Sequence, residues 1–135
     1  MGVFMRRAGA LICVIFLGSV SAFAQEVVRF IPAAASAAGA NDSYFVTDVR
    51  LFNPDPNETI TVHLAWLARD VDNSDAEEIQ IEIGPRRGVA LNDVVFSLFG
   101  LSGAGGIRLR SSNPFFATSR TYNQGGDSGT FGQFI

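Results

Sequence analysis

Apolar residues recur at every second position through most of this chain, and Gly, Pro, Asn and Asp break the pattern at intervals of about 8 to 12 residues. A period of two sends successive side chains to opposite faces of an extended strand, whereas a helix would need its apolar residues at a period near 3.6. Such a chain must therefore form strands and bury one face of each against the others.

The clearest segment is 60–67, where Ile60, Val62, Leu64 and Trp66 alternate with Thr61, His63, Ala65 and Leu67, making Trp66 a core anchor. In segment 44–52, Phe45, Thr47, Val49 and Leu51 point one way and Val46, Asp48, Arg50 and Phe52 the other. Segment 78–83 repeats the scheme with Ile79, Ile81 and Ile83 inward. Shorter strands are predicted over 27–31, 89–91, 107–110, 116–122 and 130–135, the first ending at Pro32 and the small-residue run that follows. Asn53-Pro54-Asp55-Pro56-Asn57 and Gly84-Pro85-Arg86-Arg87-Gly88 supply turns. One short helix is predicted near residues 93–99, capped by Asn92 or Asp93, with Val94, Val95, Leu98 and Phe99 as its apolar face and Gly100 as its stop. Seven or eight short antiparallel strands in a single small domain predict an all-β fold, an Ig-like β-sandwich, with a small closed barrel as the alternative.

The N-terminus has a different pattern. Arg6 and Arg7 precede an apolar run over 8–20, and Ala22-Phe23-Ala24 offers a small-residue cleavage site before Gln25. The run is about 13 residues, short of the ~20 that a membrane-spanning helix needs. Residues 1–24 are thus expected to be a signal peptide and 25–135 a single exported domain, placed in the periplasm, on the cell surface or outside the cell. Processing would discard two of the ten basic residues and none of the thirteen acids, leaving a domain more acidic than the net −3 of the whole chain. That charge argues against nucleic-acid binding. The only cysteine, Cys13, falls within the apolar run, so the processed domain is expected to carry neither thiol nor disulfide.

The segments Pro32-Ala33-Ala34-Ala35, Thr47-Asp48-Val49-Arg50-Leu51-Phe52-Asn53-Pro54, Thr61-Val62, Leu98-Phe99-Gly100, Ser119-Arg120-Thr121-Tyr122-Asn123 and Gly132-Gln133-Phe134-Ile135 follow one another in that order. In this the chain resembles uncharacterised exported bacterial proteins of Ig-like sandwich type, found mostly in environmental bacteria such as acidobacteria. The resemblance spans 25–135 and implies the fold, with no activity, cofactor or catalytic residue attached. Such proteins often continue into a second sandwich repeat, and this chain stops at Ile135 within a strand-like segment, as a fragment or a shortened relative would.

Catalytic machinery is not expected. His63 is the only histidine, so any Ser-His-Asp arrangement must use it, yet alternation explains it as an outward strand residue. There is no Gly-x-Ser-x-Gly elbow. Asp127-Ser128-Gly129 matches the triplet of dimeric aspartic proteases but follows Gly125-Gly126 rather than an apolar strand, and reads as a loop. Ser102-Gly103-Ala104-Gly105-Gly106 leads into a strand, where no helix N-terminus would face a phosphate. The acidic loop 70–78 offers Asp70, Asp72 and Asp75 as oxygen ligands for Ca²⁺, without the Gly and Glu that an EF-hand requires. No other cofactor is expected.

Arg108, Arg110 and Arg120 are expected on sheet faces beside acids such as Asp48 or Glu82, as cross-strand ion pairs or as a patch for an anionic polymer. Tyr44, Phe115, Phe116 and Tyr122 are the aromatics expected to be exposed and able to stack on sugar rings. The sequence thus predicts a non-catalytic structural or interaction module of the cell envelope or secreted matrix, with a protein or polysaccharide as partner. A carbohydrate-binding module, calcium-dependent through the acidic loop, is the alternative.

Overall fold

The alternating segments become strands in the structure, a computed structural model that describes residues 25–126 and 132–134. The export-signal reading of 1–24 and the Asp127-Ser128-Gly129 triplet lie outside the described residues. Eight strands and one short helix follow in the order β1 (Val27–Ala38), β2 (Tyr44–Phe52), β3 (Ile60–Leu67), β4 (Glu78–Ile83), β5 (Gly88–Leu91), α1 (Val94–Ser97), β6 (Gly103–Ser111), β7 (Phe116–Asn123) and β8 (Gly132–Phe134). Every pairing between them is antiparallel.

The hydrogen-bonded order β4-β3-β6-β1-β2-β7-β8 is continuous, with β5 added to β2. Buried residues from both ends of this order, Leu64 and Leu109 as well as Val49 and Leu51, belong to one cluster. A single sheet can bury one face against itself only by curling, and this one forms a half-barrel. Among the described residues all strands belong to one hydrogen-bonded sheet, and its end strands β4 and β8 do not pair with each other, so the barrel is not closed.

The curl is made by β1. Sequence reading ends this strand at Pro32; instead it runs on to Ala38, with a register shift against β6 between Ile31 and Ala34. Proline has no N–H to give a ladder, and a bulge is where a strand can hold it. Below the bulge, β1 pairs with β6 alone; beyond it, Ser36 to Ala38 also pair with Val46 to Tyr44 of β2. Two threonines serve the backbone at the bend. Thr47 Oγ1 accepts the Ala35 N–H at 2.8 Å, the Thr121 hydroxyl donates to the Ala33 carbonyl at 3.2 Å, and the two hydroxyls are 2.8 Å apart.

The core cluster is filled by alternate residues of β2, β3 and β6 together with Val94 and Val95 of the helix, and Trp66 packs beside it with its ring 6.1 Å from Phe99. The helix is shorter than the 93–99 segment suggests. Asp93 takes a left-handed φ of 42° and makes no side-chain cap. Gly100, at φ 66°, ends the helix by donating its N–H to the Phe96 carbonyl at 3.0 Å.

Asn53 closes the other end. It is fully buried, and its amide donates to the carbonyls of Glu58, Ile83 and Gly84 at 2.8, 2.9 and 3.1 Å while its Oδ1 accepts from Asp55 N–H at 2.9 Å. These bonds tie the β2–β3 turn to the end of β4. Asn53→Ala would leave buried carbonyls without donors, and the expected loss is about 2–3 kcal/mol in urea unfolding. A loss below about 0.5 kcal/mol would mean that water replaces the amide at no cost.

Candidate functional site

Register sorts the side chains of β2 and β7 into two faces. Val49 and Leu51 lie in the core opposite Ser119 and Ala117, so the other set must face outward. That second set pairs Asp48 with Arg120, Arg50 with Thr118 and Phe52 with Phe116, and toward its far end Val46, itself buried at 1% exposure, with Tyr122. Tyr44 continues the file beyond Val46. Of the residues the sequence singles out for binding, Tyr44, Phe116, Tyr122 and Arg120 meet here. Phe52 joins them: its place in the alternation beside Asp48 and Arg50 was the available signal.

The file is graded from apolar to polar. Phe52 and Phe116 are 41% and 64% exposed, a cross-strand aromatic pair at one end. Arg50 Nη2 stands 3.9 Å from Asp48 Oδ2 in the middle. The Arg120 guanidinium lies over the Tyr122 ring, 4.4 Å from its centroid, in cation–π geometry. Burial pushes the Tyr122 phenol up, and its hydrogen bond to the negative Asp48 pushes it the same way. Asp48 also accepts the Asp93 N–H at 3.0 Å. Ser36, fully buried, contacts both Asp93 Oδ2 at 3.2 Å and the Tyr44 hydroxyl at 3.1 Å.

Phe115 is not part of this surface. It is 3% exposed and belongs to the core, which corrects the expectation of an exposed aromatic. Phe115 precedes β7, which begins at Phe116, and turns into the core while Phe116 stays 64% exposed.

Arg108 and Arg110 lie elsewhere, on the outward face of β4-β3-β6-β1. One row there is Glu78, Ala65, Arg108 and Phe30; the next is Gln80, His63, Arg110 and Val28. The three arginines therefore do not form one patch. Arg120 does stand opposite Asp48 as expected, but Arg108 and Arg110 meet Glu78 and Glu26 rather than Glu82, which sits opposite Thr61. Arg110 donates Nε to Glu78 at 2.6 Å, Nη2 to the other Glu78 oxygen and Nη1 to Glu26 at 2.6 Å. Arg108 reaches Glu78 at 3.3 Å, and His63 Nδ1 lies 3.5 Å from it. His63 thus sits within an ion ladder.

The acidic loop is organised as a turn. Asp70 holds a left-handed φ of 59°. Asn73 exchanges hydrogen bonds with the Ala68 backbone, both at 2.9 Å, and Asp72 accepts from the N–H and hydroxyl of Ser74, which hold its carboxyl below the ordinary range. Asp75 lines an open groove with Glu26 and Glu78. Among the described residues no three acidic, His or Cys side chains gather as a metal cage.

No protein-family model and no curated protein sequence matches the chain. In fold it is similar to the crystal structure of Thermotoga maritima 1070, at 14% identity and a TM-score of 0.62, over 80% of this chain and 89% of that one. The likeness concerns the fold alone. Among the described residues no helix is long and apolar enough to cross a membrane.

The hydrogen bonds from Arg110 hold the Glu78 carboxyl below its ordinary value near 4.5, against the opposing effect of burial. A folded value below the unfolded one stabilises fully above the unfolded value and fades as pH falls through the folded one. Unfolding free energy should therefore drop as pH falls below the ordinary carboxyl value near 4.5, and drop less steeply in Glu78→Gln. Parallel curves for the two proteins would show that the ladder contributes nothing.

Proposed function

We propose that this chain is an exported, non-catalytic interaction module of the cell envelope or a secreted matrix, with its curled sheet arranged as an Ig-like sandwich and its outward β2–β7 face as the binding surface. The observation that carries this reading is the file from Phe52 and Phe116 through Arg50, Asp48 and Arg120 to Tyr122 and Tyr44 on one face. Exposed aromatics beside oriented ionic groups suit recognition, because the rings supply contact area and the charges fix orientation. His63, held among Glu78 and Arg110, is consistent with a structural role rather than that of a general base.

Polysaccharide is the partner class that the Phe52–Phe116 pair favours. Two exposed aromatics at paired positions of adjacent strands offer apolar area for sugar faces, and Arg50, Asp48 and Arg120 stand next along the strands to bond hydroxyls. A protein partner would use the same face. Calcium remains part of this alternative through Asp70, Asp72 and Asp75.

The test is a polysaccharide array, with and without Ca²⁺, paired with a pull-down from the secreting organism. Phe116→Ala should reduce capture at least about tenfold with the fold intact, as an exposed aromatic anchor does. Capture indifferent to Phe116 and Phe52 would remove this face from consideration, and turnover of any substrate lost on His63→Ala would overturn the non-catalytic reading. Export makes its own prediction: the secreted protein should begin at Gln25 by N-terminal sequencing, whereas retention of Met1 would refute processing.

A further inference from the structure

A second concave region lies away from the β2–β7 surface, at the bend of β1. It is an open groove of about 610 Å³, within the ~300–1,000 Å³ typical of single-ligand sites. Phe30, 60% exposed, Pro32, Leu67, Ala68, Ala104 and Gly106 make most of its wall. The bulge that displaces Pro32 and Ala33 from the β1–β6 ladder opens it. Its small residues also have a structural reason. A Cβ on Gly105 would come within 2.5 Å of the Leu67 carbonyl oxygen and 2.6 Å of the Trp66 ring, so the strands approach too closely for a larger side chain.

Two polar side chains line the groove, Thr121 and Arg69. The Thr121 hydroxyl is engaged with Thr47 and the Ala33 carbonyl. Arg69 is exposed and makes no ion pair among the described residues, unlike Arg50, Arg108 and Arg110. Asp70 follows it at a left-handed turn and does not line the groove. An apolar trough with one unneutralised cation at its rim is complementary to a molecule with an aliphatic body and an anionic end.

We propose that this groove binds one single-chain amphiphile, an aliphatic carboxylate whose tail lies along Phe30, Pro32, Leu67 and Ala104 and whose carboxylate meets Arg69. The source is the free acid rather than an anionic bilayer. The chain carries a net charge of −3, so a negatively charged membrane would repel it overall, and a single arginine is too little to reverse that. The site is separate from the β2–β7 face, so each can fail without the other.

The probe is 11-(dansylamino)undecanoic acid, followed by its fluorescence on titration into the purified processed protein. Saturable one-to-one binding is expected, displaced by laurate about fivefold more effectively than by dodecanol, the difference one partly exposed ion pair makes. Arg69→Gln should make laurate and dodecanol equal, and Ala33→Trp, at an exposed position, should fill the groove and abolish binding. Ala104→Phe repeats the blockade from the opposite wall should the first variant not fold. Phosphatidylglycerol vesicles should not retain the protein. The proposal is overturned by a lack of saturable binding, by binding that persists in both folded blocking variants, by equal competition from laurate and dodecanol in the unmodified protein, by capture on vesicles, or by sedimentation showing a dimer that Ala33→Trp dissociates.

Discussion

The bend in β1 is the constraint on which the rest of the molecule depends. One strand must serve β6 along most of its length and β2 at its far end, so the sheet has to turn within it. A regular ladder would resist that turn, because each residue is bound by its neighbours on both sides. Pro32 removes one donor at the required point, and the bulge leaves Pro32 and Ala33 outside the ladder. With the bend made, residues from distant strands can close one core around Val94 and Val95.

Wherever the ladder stops, side chains take over its work. Thr47 and Thr121 serve the backbone of β1 at the bend, Asn53 serves the turn between β2 and β3, and Asp48 accepts the N–H of Asp93 in the interval where β2 passes from β1 to β5. Thr47, Asn53 and Asp48 each meet a part-buried or buried backbone group that would otherwise be unpaired, at a cost of about 1–3 kcal/mol, while the Thr121 bond to Ala33 lies at the surface. The polar residues inside this fold are thus a consequence of its curl. A flat sheet of the same strands would need few of them.

These relations explain what alternation could reveal. It located β2, β3 and β4 to the residue, because each carries a run of alternating apolar residues bounded by turn residues, although burial departs from strict alternation at Val46–Thr47 and Leu64–Ala65. It ended β1 too early, because proline is a reliable sign of interruption in a regular strand but not of termination at a bulge. The helix lost residues at both ends to Asp93 and Gly100, whose backbone conformations depend on packing that no local pattern encodes. Face assignments within one strand were legible. Which strands would neighbour one another was not, and so Arg108, Arg110 and Arg120 looked like one patch until the order of the sheet separated them. The groove at Arg69 was likewise invisible, since its walls come from β1, β3, β6 and β7.

The two outward faces differ in a way that bears on which one binds. On β4-β3-β6-β1, Glu78 and Glu26 engage both guanidiniums, and Ala65, which stands between Glu78 and Arg108 in the outward row, is fully buried. A ligand seated over the Glu78 ladder would first have to break internal ion pairs. On β2–β7, Phe116 keeps most of its ring in water, and Arg50 stands at 3.9 Å from its only acid in the file. Displacing water from an exposed ring is favourable, and a half-exposed arginine 3.9 Å from its acid offers little resistance. Binding therefore costs least where aromatics are bare and a cation such as Arg50 is half exposed, which favours β2–β7 for the proposed interaction and leaves the Glu78 ladder to stabilise the other outward face.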